Sequence, residues 1–310
     1  IYAACQPRPD NPGLTTQAEQ LRPRGVKTMT YDFELLDVEV RGAAAFVTIS
    51  NPPVNVITMA LLAELDTLSA KLKADPALLV VVFKSADPDF FLAHFDVSAI
   101  LDRPIGHEPQ RDAQLKAFHA LCERFRTMNK VIIGQIEGRV GGGGSELSAS
   151  FDMRFGVRGK TIINQMEVPL GILPGGTGTQ RLPRLLGRGR ALEVILGADD
   201  LDAETAEKWG YLNRIFEPDE IGPHVERLAE RIASFPMPAV RLAKESVNAA
   251  DRPWLEGLFE EAYLFARLLA TPEAQANMRR FLEIGGQTRE GEMRMGELSA
   301  ELCREKPSED

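Results

Sequence analysis

The chain has 310 residues, of which 44% are hydrophobic and 26% charged, so disordered, collagen-like and low-complexity proteins are excluded. A formal net charge of -9 argues against a nucleic-acid-binding protein, which normally carries a basic surface. No apolar run reaches the roughly 18–20 residues of a membrane span, so we expect no membrane partner. The three cysteines are scattered and share no C-x-x-C spacing, which indicates a reducing, cytoplasmic setting rather than a disulfide framework or a zinc site.

The first predicted elements follow a polar segment punctuated by Pro and Gly, residues 1–30, which we expect to be a flexible tail. Two runs with strand character, 33–40 and 44–50, predict a hairpin. Leucines at helical spacing predict a helix over 58–74. The continuous apolar run at 78–83 is typical of a strand buried on both faces.

The middle of the chain continues with a predicted loop over 85–109, a helix over 111–127 and a buried strand over 131–136. Short strands are predicted near 152–157 and 160–163. The remainder is predicted to be mostly helical, at about 178–197, 202–210, 219–233, 237–250, 254–269 and 272–283. Strands that precede and alternate with helices predict an α/β architecture.

Four consecutive glycines, 141–144, follow the strand at 131–136 and precede a predicted helix. The simplest interpretation is a tight turn. A phosphate-binding P-loop would need Lys where Gly144 stands, and a dinucleotide-binding fingerprint would need Gly where Glu146 or Leu147 stands. A third interpretation is that the exposed N–H groups stabilise an oxyanion developing on a carbonyl, with Glu146 beside it for acid–base work.

A second carboxylate, Glu167, lies between Met166 and Val168 and directly before another segment rich in Gly and Pro, 169–178. A single Glu is most often a solvated surface residue. Two glutamates beside two glycine-rich loops favour a catalytic pair.

These residues resemble the crotonase (enoyl-CoA hydratase/isomerase) family. The family has an Asn-x-Pro motif followed by Asn, a Gly-rich motif ending in Glu-Leu, and a long motif that runs from Pro-Glu to Gln-Arg-Leu. The resemblance extends over about residues 33–283, and five ordered segments carry it: 51–57, 92–97, 138–147, 166–182 and 210–215.

The resemblance implies a crotonase-like α/β fold, a spiral of β-β-α units with a C-terminal helical trimerisation region. On this basis we expect a catalytic core over 31–200 and a helical region over 201–310. It also implies a homotrimer or homohexamer, an acyl-CoA thioester as substrate, no nucleic-acid or membrane partner, and no cofactor besides the coenzyme A of the substrate.

By position, the resemblance assigns the oxyanion hole to the N–H groups of Phe95 and Gly143, and the catalytic carboxylates to Glu146 and Glu167. Gly175 matches a glycine whose N–H helps to hold the catalytic water. Substrate or coenzyme A contacts are expected at six residues: Val54, Ala93, Asp96, Val97, Gly142 and Gly175.

The implied reaction adds water across the C2=C3 bond of a trans-2-enoyl-CoA and gives a 3-hydroxyacyl-CoA. Glu146 would assist the attack of water on C3, and Glu167 would protonate C2. An enoyl-CoA isomerase, or another acyl-CoA enzyme using the same oxyanion hole, is the alternative. A non-catalytic acyl-CoA-binding or scaffold protein is the alternative from another class.

The chain departs from the family pattern at the first oxyanion segment, where His94 replaces the usual Gly and Phe95 the usual Ala. Any residue except proline supplies an N–H, so the hole can survive while the pocket changes shape. Ser98 stands where many hydratases have a Lys near the phosphates of coenzyme A, and residues 281–289 lack the usual basic ending. Three arginines could substitute or could form a solvated basic face: Arg279, Arg280 and Arg289.

Overall fold

The computed structural model describes residues 29–102, 115–251, 267 and 271–285. The predicted N-terminal tail up to residue 28, the predicted helix at 254–269 apart from residue 267, and Arg289 lie outside the described residues. Among the helices that are described, none is long and apolar enough to cross a membrane.

A six-stranded sheet forms the centre of the fold. In the order in which they pair, its strands are β1 (Leu36–Arg41), β2 (Ala44–Ile49), β3 (Val80–Ser85), β5 (Val131–Ile136), β7 (Met153–Val157) and β10 (Arg214–Phe216). Within this sheet, β1 and β2 are antiparallel and the other neighbours are parallel. The predicted α/β architecture is therefore confirmed.

Both faces of this sheet are covered, which explains the continuous apolar runs of its central strands. On β3, Val81 and Phe83 pack into one core cluster, whereas Val80 and Val82 pack into the other. The first cluster includes the leucines of α1 (Met59–Ala74) together with Leu121 and Phe125 of α3 (Ala117–Thr127). The second includes the buried apolar residues of α8 (Ile221–Ala233).

A second sheet of four short strands positions the candidate site. It has the order β4-β6-β8-β9, with strands β4 (Phe90–Leu92), β6 (Arg139–Gly141), β8 (Ile162–Asn164) and β9 (Leu201–Asp202). The first three are parallel to one another, so their carboxyl ends meet at one edge. The segments that leave this edge are Ala93–Asp96, the glycine run, and Gln165–Glu167. Sites in parallel α/β sheets commonly lie at such an edge.

The remaining helices follow in chain order: α2 (Val97–Leu101), α4 (Gly142–Ser148), α5 (Gly178–Leu186), α6 (Arg188–Gly197), α7 (Ala203–Trp209), α9 (Met237–Asn248) and the helix Pro272–Glu283. Short 3-10 turns lie at Val168–Leu170 and Ala249–Asp251.

The structure corrects several sequence-based predictions. The predicted loop at 85–109 contains β4 and α2 within its described part. The predicted single helix at 178–197 is two helices, because Gly187 adopts φ 81, outside the helical region. The segment predicted to be mostly helical also contains β9 and β10, and β10 pairs with β7 in the main sheet.

Candidate active site

The last three glycines of the run form the first turn of α4, directly after Gly141 ends β6. Helix α4 begins at Gly142, which adopts φ 44, and all seven of its residues are buried. A left-handed residue at this point favours glycine because it has no Cβ. The N–H groups in the first turn of a helix have no intrahelical acceptor, so they are available to a ligand.

Backbone hydrogen bonds hold the segment after β4 and do not engage the N–H of Phe95. Ile57 donates to the carbonyl of His94 at 2.8 Å, and Asp96 donates to the carbonyl of Ile57 at 3.1 Å. Between these two bonds, the N–H of Phe95 has no acceptor within the described chain. Asn55, which is buried, supports the segment by donating to the carbonyls of Phe90 and Phe91.

The predicted oxyanion residues lie side by side. A Cβ built on Gly143 would lie 3.2 Å from the backbone nitrogen of Phe95 and 2.8 Å from its Cβ. Only glycine permits this approach without a shift of the Phe95 segment. Two N–H groups that have no acceptor among the described residues therefore lie close together at the carboxyl edge of the small sheet, an arrangement that can bind an oxyanion.

Glu146 is anchored from one side. Its Oε1 accepts three backbone N–H bonds, from Gly176 at 2.8 Å, Thr177 at 2.9 Å and Gly178 at 2.7 Å. Its Oε2 takes part in none of them. Burial raises the pKa of Glu146 to about 7; the three N–H bonds oppose this shift, whereas the negative charge of Glu167 adds to it.

Glu167 is also buried, and its carboxylate accepts hydrogen bonds from the side chain of Gln165. The Nε2 of Gln165 donates to both carboxylate oxygens, at 3.2 and 3.1 Å. Burial raises the pKa of Glu167, although its own N–H, Gln165 and the imidazole of His94 partly oppose the shift. A Cβ on Gly142 would lie 3.2 Å from Glu167 Oε1 and 3.2 Å from His94 Cβ, so all three residues are neighbours.

The predicted substrate-contact residues fall into two groups. Of the predicted set, Val54 and Ala93 line a cavity of about 190 Å³, which is also lined by His94, Gly141 and Asn164. His94 lines this cavity and is also a neighbour of Glu167, so the cavity adjoins the part of the site that contains Glu167.

The second group of predicted substrate contacts takes part in the chain's own secondary structure or lies at the surface. Asp96 is the N-cap of α2 and accepts from the N–H of Ser98 at 2.9 Å, and Val97 is the first residue of that helix. Gly175 is exposed, and the donors that reach Glu146 come from the three residues after it. Arg279 and Arg280 lie in the helix Pro272–Glu283.

Sequence reasoning missed the residues that hold α4 in position. The hydroxyl of Tyr211 donates to the carbonyl of Ser145 at 3.0 Å, and Arg154, which is buried, donates to the carbonyls of Phe151 and Tyr211 at 2.6 Å. Tyr211 lies within one of the family-like segments, which is a signal that could have identified it. No group of His, Cys, Asp and Glu among the described residues could hold a metal ion.

Comparisons with known proteins agree with one another. A sequence model described as enoyl-CoA hydratase/isomerase matches residues 39–289. A probable enoyl-CoA hydratase of Rhizobium meliloti (strain 1021) is 32% identical over 253 residues, covering 81% of this chain and 95% of the relative. A crotonyl-CoA hydratase of Syntrophomonas wolfei is 31% identical over 262 residues, covering 82% and 96%.

Solved structures extend the comparison to the fold. A putative enoyl-CoA hydratase from Streptomyces avermitilis aligns with a TM-score of 0.64 at 35% identity, covering 88% of this chain and 100% of that one. Pseudomonas aeruginosa DspI aligns with a TM-score of 0.74 at 28% identity, covering 83% and 97%.

Proposed function

The chain belongs to the enoyl-CoA hydratase/isomerase family, and from that premise we propose that it adds water across the C2=C3 bond of a trans-2-enoyl-CoA thioester. The product is a 3-hydroxyacyl-CoA. The reaction needs an oxyanion site for the thioester oxygen, a base for water and an acid for C2. It needs no cofactor besides the coenzyme A of the substrate.

One observation supports the proposal most strongly: two buried carboxylates with raised pKa values lie beside two N–H groups that no described residue accepts from. In this proposal the thioester oxygen accepts from Phe95 and Gly143. Charge moves onto that oxygen when water attacks C3, and fixed donors stabilise it without reorganisation. Loss of one such donor typically costs about 3 kcal/mol of activation free energy.

The two carboxylates have different roles in proton transfer, Glu146 as the base and Glu167 as the acid. Glu146 Oε1 accepts three N–H bonds, which favour the ionised form, and its Oε2 remains able to take a proton from water. Glu167 has fewer donors, and in its protonated form it delivers a proton to C2. Because the negative charge of Glu167 raises the pKa of Glu146, we propose that the two groups titrate as one coupled pair that shares a single proton in the reaction.

Proton balance follows from these roles. After addition, Glu146 carries the proton from water and Glu167 is ionised. Transfer of one proton from Glu146 to Glu167, directly or through a water molecule, restores the starting state. The base and the acid are therefore regenerated in each cycle without a further reactant.

The cavity of about 190 Å³ is the site that we propose for the arm of coenzyme A next to the thioester. It borders His94 and Arg139, and Arg139 forms an ion pair with Asp200.

A two-substrate assay tests the proposal and separates it from isomerisation. One relative is named as a crotonyl-CoA hydratase, so crotonyl-CoA is the first substrate to try. We expect its enoyl-thioester absorbance to fall and 3-hydroxybutyryl-CoA to appear. An isomerase would instead convert trans-3-hexenoyl-CoA to the trans-2 isomer and leave crotonyl-CoA unchanged. No turnover of either substrate would favour a non-catalytic protein.

A further inference from the structure

Two aromatic side chains contact each other beside the carboxylates. The ring centroids of Phe95 and Phe118 are 5.5 Å apart with an interplanar angle of 74°, an edge-to-face contact. Phe95 follows β4, and Phe118 is the second residue of α3. Both are half-buried and pack against the main core cluster. This contact fixes the position of the Phe118 ring.

The Phe118 ring lies against the unanchored oxygen of Glu146. A Cβ built on Gly176 would lie 2.5 Å from Phe118 Cε1 and also 2.5 Å from Glu146 Oε2. These two atoms are therefore at most twice that distance apart. A methylene between them would need about 3.5 Å to each, so no alkyl chain fits in the gap.

The other side of the site is open. The cavity is lined by residues that include Val54, Ala93 and His94, and its lining contains none of Phe95, Phe118 and Glu146. A thioester bound at the two N–H donors has two arms, one toward coenzyme A and one toward C3. If coenzyme A occupies the cavity, the substituent on C3 points toward the two aromatic rings.

We propose that Phe118, braced by Phe95, limits the substrates to short-chain enoyl-CoA thioesters whose C3 substituent is about the size of a methyl group. This inference rests on the proposed function. The bulk of Phe95 does not remove its N–H from the oxyanion site; instead its side chain supports the ring that closes the acyl end.

The test compares kcat/KM for the hydration of crotonyl-CoA and trans-2-octenoyl-CoA. We expect the wild-type chain to favour crotonyl-CoA by about tenfold or more, because a well-packed pocket discriminates by that factor or more per methylene. Phe118→Ala should reduce this preference by about tenfold or more, mainly by raising kcat/KM for octenoyl-CoA. Phe118→Leu, which keeps more of the packing, should give an intermediate ratio.

The matched control is Phe235→Ala, which truncates another half-buried phenylalanine, after α8 and outside the site. It should leave the ratio unchanged, and thermal unfolding establishes that each variant is folded. Equal or better wild-type activity on octenoyl-CoA, or a preference for cinnamoyl-CoA, would overturn the size limit while hydration stands. A folded Phe118→Leu with an unchanged ratio would overturn it as well. Failure of the wild type on every chain length would instead contradict the proposed function.

Discussion

The two glutamates differ in how the fold holds them. Glu146 lies in a fully buried helix and accepts three backbone N–H bonds from one continuous segment, Gly176–Gly178. Glu167 lies between a short strand and a 3-10 turn and accepts from one side-chain amide, that of Gln165. Backbone donors stay in place whatever the protonation state, whereas a side-chain donor can reorient. The contrast suits a fixed base and an adjustable acid.

The largest expected effect comes from neutralising either member of the pair. Glu146→Gln and Glu167→Gln should each lower kcat/KM for crotonyl-CoA by about 10²–10⁴-fold, the range of general acid–base contributions. Because a Gln oxygen can still accept the three N–H bonds, Glu146→Gln should remain folded. Steady-state kinetics measure kcat/KM for each variant, and circular dichroism checks that each variant is folded. Near-wild-type turnover by either variant would contradict the assignment.

The stability of the wild-type chain should depend on pH through Glu146. At pH values well below 4.5 this carboxyl is protonated in both the folded and the unfolded state. Its folded-state pKa of about 7 means that folding opposes ionisation, so stability declines as the pH rises from 4.5 through 7. The full cost, about 3 kcal/mol, is present above pH 7.

Glu146→Gln isolates this contribution. The variant should gain stability relative to the wild type by about 3 kcal/mol between pH 4 and pH 8, measured by urea unfolding at both values. A constant difference between the two proteins across that range would show that the buried carboxylate carries no such cost.

Adding a side chain to the segment that donates to Glu146 should have a smaller effect on turnover. In Gly178→Ala the new Cβ would lie 2.7 Å from Pro174 Cβ and 3.1 Å from Glu146 Oε1, so the anchoring segment must shift. We expect kcat to fall by about 10–100-fold, the scale on which small misplacements act.

Gly189→Ala is the matched control, since Gly189 lies in the first turn of the next helix, α6, and a Cβ there meets nothing within 4 Å. It should keep wild-type kcat and raise stability by about 0.5–1 kcal/mol, because alanine loses less backbone entropy in a helix. If both variants behaved alike, the anchor would have no catalytic role.

The smallest effect on turnover is expected from a change beside Glu167, the carboxylate held by a side-chain donor. Gln165→Met removes the amide that donates to Glu167, so the pKa of Glu167 should rise further. If Glu167 acts as the acid, the high-pH limb of the rate profile should move to higher pH, with a fall in kcat of about tenfold. An unshifted limb would mean that Gln165 only packs beside Glu167.

Much of the fold could be predicted because strong patterns decide it. The strand Val131–Ile136 and the helix Pro272–Glu283 have the predicted bounds, and α1 begins one residue after the predicted start because Thr58 caps it. The short strands β4 and β10 could not be predicted, since three residues become a strand only through a partner that lies far away in the sequence.

The same distinction holds for the site. Local glycine motifs point to Glu146 and Glu167 as candidates; both are buried, and they lie close enough for the charge of Glu167 to raise the pKa of Glu146. The donors on Glu146 come from a segment about thirty residues later, so only the folded chain shows that Gly176–Gly178 fix it. The narrow gap between Phe118 and Glu146 is also visible only in the folded chain, because α3 brings Phe118 next to Glu146.

Product analysis in ¹⁸O-labelled water tests the central claim most directly. The purified chain is incubated with crotonyl-CoA in this solvent, and the thioester product is examined by mass spectrometry, with the doubly substituted Glu146→Gln/Glu167→Gln chain in parallel. We predict 3-hydroxybutyryl-CoA carrying one ¹⁸O in its hydroxyl group from the wild type and none from the double variant. Unlabelled crotonyl-CoA of unchanged mass, or labelled product from both chains, would contradict the account.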